Sequence, residues 1–198
     1  MSKSNMRPFC SSLLLVALTA SFAHAKDWPM WGGTPTRNMV QEAKEIPNDI
    51  SSGKFLPKTE TIDPKTTKNV KWIGKLGSQT YGSPIVAGGR VYVGTNNESP
   101  RDPAQTGDRG VLMCFDEKSG DFLWQLVIPK VGAGKVSDWE FVGLCSSAAI
   151  DGDRGYVVGN RGELICFDVK GMTNGNDGPF KDEAKFSLSL IHISEPTR

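Results

Sequence analysis

Few residues of this 198-residue chain can do chemistry, and their spacing narrows what that chemistry is. Short oxygen-bearing side chains gather at Asp151-Gly-Asp153 and at Asn174-Gly-Asn-Asp-Gly178. Asp151, Asp153, Asn174, Asn176 and Asp177 are therefore the candidate ligands for a hard cation such as calcium. The same residue types are what tight turns require, and the turn reading is preferred. Cys114, Cys145 and Cys166 are the cysteines of the body of the chain, and no Cys-x-x-Cys spacing occurs. A zinc knuckle and a c-type haem attachment are thereby excluded for this stretch. The apolar neighbours in Met113-Cys114-Phe115 and Ile165-Cys166-Phe167 point to thiols used as small buried side chains. The only two histidines, His24 and His192, lie near the ends, so residues 26–187 contain no imidazole for a triad, a general base or a metal.

The two ends read as segments that take no part in the fold. Lys3 and Arg7 precede an apolar run from Ser11 to Phe22 and then Ala23-His24-Ala25, the pattern of a secretory signal peptide cut after Ala25. About a dozen apolar residues is short of the roughly 20 needed to span a bilayer, so the expectation is an exported protein, periplasmic or secreted, with no membrane span after cleavage. Cys10 precedes the apolar core and so does not stand where a lipid-acylated cysteine would. At the other end, 188–198 matches the in-frame translation of a sequencing adaptor and is set aside as an artefact. Residues 26–187 carry 20 Lys and Arg against 21 Asp and Glu, a balance that gives no electrostatic footprint for nucleic acid.

The elements that must position these residues are strands. Short alternating apolar runs separated by Gly, Asp and Asn clusters predict an all-β chain. One set covers 70–76, 83–87, 90–94, 111–116 and 121–127, and a second covers 147–151, 155–159 and 163–168. The sets align at Trp72 with Trp124, at Ser83 with Ser147, and at Cys114-Phe-Asp116 with Cys166-Phe-Asp168. Each repeat carries a 12-residue insertion in a different loop, within Asn96–Arg109 and Pro129–Leu144, over a unit of 40 residues. A four-stranded unit of about 40 residues is the size of a propeller blade. Within it, Asp116 and Asp168 open hairpin connections and Gly120 supplies the positive φ of a tight return. Phe122, Trp124 and Leu126 are predicted to share one face, so that Trp124 covers the neighbouring blade and Trp72 does the same one repeat earlier. Asn97-Glu98-Ser99 has the form of a glycosylation acceptor, with Pro100 against its use. The two Gly-Asp-Arg-Gly runs, at 107–110 and 152–155, fall in different repeat registers and read as coincidence.

Ser83-Pro-Ile-Val-Ala-Gly-Gly-Arg-Val-Tyr-Val-Gly94 with Cys114-Phe-Asp-Glu-Lys-Ser-Gly-Asp-Phe-Leu-Trp124 resembles the repeat of the pyrroloquinoline-quinone-like β-propellers. The likeness covers Lys68 to about Lys170. The opening Asp27-Trp-Pro-Met-Trp-Gly-Gly33 is similar to the start of exported bacterial members, quinoprotein dehydrogenases among them. The resemblance implies a parent of seven or eight four-stranded blades, of which this chain is an N-terminal fragment of about two, and it implies that 70–76 is a closing strand. The domain reading is accordingly signal 1–25, N-terminal extension 26–67, incomplete blades 68–187 and artefact 188–198.

The resemblance admits two functions. One is a non-catalytic binding or assembly scaffold with a protein or cell-envelope partner. The other is a dehydrogenase of alcohols or sugars using pyrroloquinoline quinone and calcium. The dehydrogenases carry a vicinal Cys-Cys pair, whereas Cys145 is followed by Ser146, and their calcium ligands and Asp base cannot be placed on matching positions here. The scaffold is the preferred expectation, with quinone and calcium kept for the full-length parent. The two insertions, the second with Trp139 and Phe141, either form a rim that meets a partner or cover blade edges.

Overall fold

The computed structural model describes residues 27–41, 46–131, 139–171 and 195–196; the predicted signal segment and Asn174, Asn176 and Asp177 lie outside these. Apart from a single 3-10 turn at Pro64–Thr66, its regular elements are strands. They are β1 (Ile85–Ala87), β2 (Arg90–Asn96), β3 (Arg109–Asp116), β4 (Phe122–Pro129), β5 (Ala149–Asp151), β6 (Arg154–Val158), β7 (Leu164–Asp168) and β8 (Glu195–Pro196). Two antiparallel sheets result, ordered β1-β2-β3-β4 and β5-β6-β7-β8. Each is a meander, because every connection joins neighbours in space. The β1–β2 turn shows why: Gly88 and Gly89 have φ of 58° and 74°, the pair of positive values that a type I′ hairpin demands. β8 falls in the stretch set aside as artefact. It contributes two residues, Glu195 and Pro196, paired with Cys166 and Ile165 at the edge of the second sheet. An open edge offers main-chain groups to any extended segment, whatever its side chains.

The sheets pack face to face around one apolar layer. The first sheet contributes Ile85, Tyr92, Leu112, Cys114, Trp124 and Leu126, and the second Ile150, Val157, Ile165 and Phe167. At its centre three rings meet: Trp124 lies 5.6 Å from Phe167 and 6.0 Å from Tyr92, tilted against both, the arrangement ring quadrupoles prefer. The N-terminal stretch ties the sheets together from outside. Trp28 pairs with Val86 on the β1 edge (2.7 and 3.1 Å), and the next carbonyl, that of Pro29, accepts Ile150 N of β5 (2.7 Å).

One prediction from alternation does not survive, and one predicted strand is found without a partner. Phe122 does not share a face with Trp124, because the β3–β4 register shifts between Cys114 and Phe115 and Leu123 is left over as a bulge. The extra residue returns Phe122 to the opposite face, where its ring meets Phe115 at 5.9 Å. Residues 70–76 keep the predicted alternation, with Trp72 and Leu76 packed on the first sheet, but join no ladder among the described residues, since the pattern states which face is buried and says nothing about an edge partner.

Each repeat is locked to the next by its tryptophan. Trp72 Nε1 donates to the carbonyl of Glu117 (2.9 Å) and Trp124 Nε1 to that of Val169 (3.2 Å), both across 45 residues. Each indole lies against a turn glycine of the following repeat. A Cβ on Gly120 (φ 78°) would stand 2.5 Å from the Trp72 ring, and one on Gly171 (φ 60°) 2.9 Å from Trp124. These glycines are required twice over, by the backbone conformation and by the ring lying on them.

Candidate functional site

The two insertions are brought together at one end of the sheets. Asp108, on the loop between β2 and β3, accepts through Oδ2 both Lys130 Nζ (2.8 Å) and the main-chain N–H of Phe141 (2.8 Å), both on the loop between β4 and β5. Lys130 also donates to the carbonyl of Trp139. Its side chain is only 6% exposed, so the ammonium has left bulk water and the carboxylate supplies its counter-charge. The pair is a clamp between successive repeats.

Behind the clamp stands Asn96, at the end of β2 and wholly buried. Its Oδ1 accepts Ser78 N (3.0 Å) and Glu98 N (3.1 Å), and its Nδ2 donates to Ser78 Oγ (2.8 Å) and the Phe141 carbonyl (2.5 Å). An amide has two acceptor sites and two hydrogens, and all four are used. Neighbouring Thr95, also buried, accepts Gly77 N (3.0 Å) and donates to Gln79 O (2.8 Å). These two side chains hold 77–79 on one side and Phe141 on the other, where the Thr95 carbonyl also accepts Leu144 N (3.0 Å). In front of the clamp the rim is apolar and outward: Trp139 is 70% exposed, Val131 54% and Phe141 38%.

On the other side of Asn96 a groove of about 1010 Å³ runs between the N-terminal segment and residues 70–78. Ile62, Trp72, Ile73 and Leu76 line its apolar part, with Glu60, Lys71, Lys75 and Glu98 among its polar groups.

Of the residues singled out by the sequence, Trp139 and Phe141 stand on this rim and Trp72 lines the groove, while the turn and cation candidates lie elsewhere. Asp116 is a turn residue: its Oδ1 accepts Lys118 N and Ser119 N (both 2.8 Å) and the Ser119 hydroxyl (3.1 Å). The main-chain donors of Ser119 and Lys118 hold its carboxyl below the usual range. Asp168 accepts Lys170 N (2.7 Å) in the same way. Asp151 and Asp153 sit exposed at the β5–β6 hairpin, and no cluster of three or more His, Cys, Asp or Glu fit to hold a metal occurs among the described residues. Cys114 is buried in the inter-sheet core, Cys166 half-buried and Cys145 exposed, and none of the three is in a disulfide. Comparison of the chain with known protein families and with curated proteins finds no match to either.

The clamp was missed by sequence reasoning. Asp108 belongs to one of the Gly-Asp-Arg-Gly runs read as coincidence, and the two runs do have unrelated roles, since the second forms the β5–β6 hairpin turn. The partners of Asp108 lie 22 and 33 residues away, and no local pattern signals such a closure.

The thiols give a direct check on this packing. Burial pushes the Cys114 thiol far up and, likewise, the Tyr92 phenol. A thiol-specific label followed by peptide mapping is expected to find Cys145 modified in the native protein and Cys114 only after denaturation. Because the folded groups keep their protons past the pH at which the unfolded chain loses them, about 8.5 for a thiol and 10 for a phenol, stability is full below those values and falls as pH rises through them. Urea midpoints between pH 7 and 10 measure this, and Cys114→Ala is expected to remove the first part of the decline.

Proposed function

We propose that this chain forms successive blades of an exported β-propeller that acts as a binding or assembly scaffold in the cell envelope, with the rim of the two insertions as its contact surface. The observation that carries the reading is the Asp108 clamp, which joins loops from successive repeats into one surface bearing the exposed Trp139 and Phe141. An indole held out in water by a fixed framework is typical of the aromatic anchors of protein interfaces. The propeller reading is supported by the two tryptophan locks of equal span. It is also supported by the outer face of the second sheet, where Tyr156 and Cys166 occupy the places that Tyr92 and Cys114 hold in the buried layer of the first. Export is supported by the N-terminal pattern, and no helix among the described residues is long and apolar enough to cross a membrane.

The test is photo-crosslinking in envelope fractions, with a benzophenone residue at position 139 and, as control, at exposed Thr59 on the N-terminal segment. A discrete adduct is expected from 139 alone, and Asp108→Ala is expected to abolish it while lowering stability by about 1–3 kcal/mol, the cost of stranding Lys130 and one main-chain donor at a part-exposed pair. Adducts equal at both positions would remove the rim from consideration. Saturable binding of pyrroloquinoline quinone with calcium, together with dye reduction on alcohols or sugars, would replace the scaffold with a dehydrogenase.

A further inference from the structure

Three stretches of chain meet at the end of β2 with no slack between them. On one side, 75–79 is held by side chains of β2 and of the first insertion. The Lys75 carbonyl accepts Arg101 Nη2 (2.7 Å), Thr95 takes Gly77 N and the Gln79 carbonyl, Asn96 takes Ser78 N, and Glu98 takes the Ser78 hydroxyl. On the other side, Asn96 Nδ2 donates to the Phe141 carbonyl and the Thr95 carbonyl accepts Leu144 N. A Cβ on Gly77 would stand 2.1 Å from Asn96 Oδ1, and one on Gly143 (φ 73°) would stand 2.5 Å from Asn96 N. Neither neighbour has room to move inward, since a packed interior has no spare volume.

The side-chain amide of Asn96 is planar, and its two nitrogen hydrogens point in fixed directions, one to Ser78 Oγ and one to the Phe141 carbonyl. It cannot turn to follow one partner without losing the other, and Ser78 N and Glu98 N pin its oxygen. Asn96 is wholly buried, so a bond lost there is not replaced by water. The junction therefore has two arrangements, both sides seated or both loosened, rather than a graded series.

We infer that Asn96 couples the seating of 75–79 to the position of the loop at Phe141, so that the rim carrying Trp139 is set only while that segment is in place. A second connection runs in parallel through the first insertion. It touches the segment at Glu98 and Arg101, is braced across its base by Asn97 Nδ2 on the Gly107 carbonyl (3.3 Å), and ends at Asp108 on Phe141 N. A shared element that two sites both bias is what coupling requires. Its purpose rests on the scaffold reading: where 70–76 is a closing strand, the contact surface is presented only once that strand is seated.

Amide hydrogen exchange of the full chain, read residue by residue, tests the coupling without a partner. Gly77→Ala drives a methyl group into Asn96. It is expected to speed exchange at Phe141 N and Leu144 N about tenfold or more, while the amides of the central strand β3 stay within about twofold. Coupling between two opening equilibria is mutual. Asp108→Ala, which strikes the rim side, is therefore expected to speed exchange at Gly77 N and Ser78 N by a comparable factor, and it decides alone if Gly77→Ala does not fold. Acceleration confined to the mutated side, or shared equally by β3, would overturn the inference. The benzophenone adduct at 139 is expected to fall away in Gly77→Ala. If position 139 yields no adduct even without that substitution, the scaffold reading fails, and the exchange rates still decide the coupling.

Discussion

Trp124→Ala is expected to lower the unfolding free energy by about 3–5 kcal/mol, the range for removing a fully buried large aromatic side chain. The indole is 1% exposed. It fills the centre of the inter-sheet layer against Tyr92 and Phe167, and its N–H satisfies the Val169 carbonyl. Alanine removes the ring, opens a void between sheets that cannot close without moving two other rings, and orphans an acceptor. Trp124→Phe keeps most of the packing and loses only the hydrogen bond, so its loss is expected to be about 1–2 kcal/mol. Urea unfolding followed by circular dichroism measures both. If the two variants were equally destabilised, the ring's volume would not be what holds the sheets together. Trp72→Ala is expected to cost less, because Trp72 is only half-buried where it stacks on Phe115 at 6.1 Å.

The second large effect comes from a single added methyl group. Gly155→Ala places a Cβ 2.1 Å from Cζ and 2.3 Å from Cε2 of Phe167. Phe167 is 1% exposed and held by Trp124 and Tyr92, so it has nowhere to go. Overpacking of this kind costs about 2–3 kcal/mol. An alanine for glycine at an unstrained site does the reverse and stabilises by a few tenths to about 1 kcal/mol, so the sign of the change decides whether the ring is where it is described. Trimming the ring in the double variant Gly155→Ala, Phe167→Leu is expected to recover part of the loss, and failure to recover any would place the clash elsewhere.

What could be read in advance was whatever is written locally. Leu164-Ile-Cys-Phe-Asp168 is legible as a strand because one of its faces is buried and the other is not, and Arg90-Val-Tyr-Val-Gly94 because its residues are β-formers that follow turn glycines, although Tyr92 and Val93 are both buried on opposite faces. Gly120 is legible because only glycine takes φ 78° without strain beneath an indole. The bulge at Leu123 was hidden, because inserting one residue leaves the composition of the strand unchanged while reversing the direction of every side chain on one side of it. The candidate site was hidden more deeply. Nothing in the neighbourhood of Asp108 distinguishes it from a turn aspartate, and its meaning comes from Lys130 and Phe141, delivered by the packing of two sheets. Buried Asn96 is the same case, since an asparagine at a strand end ordinarily reads as the start of a turn.

The tryptophan locks also give the array a polarity. In both, the indole that donates belongs to the earlier repeat and the carbonyl that accepts belongs to the later one. The first sheet thus has an accepting side, at Glu117, and a donating side, at Trp124, and they are different surfaces. Joining such units is heterologous, head to tail, and repeated joining turns the array by a constant step, closing a ring when the step divides a full turn and running on as a helix when it does not. Two copies cannot use this lock face to face, for two donating sides would meet with no carbonyl between them.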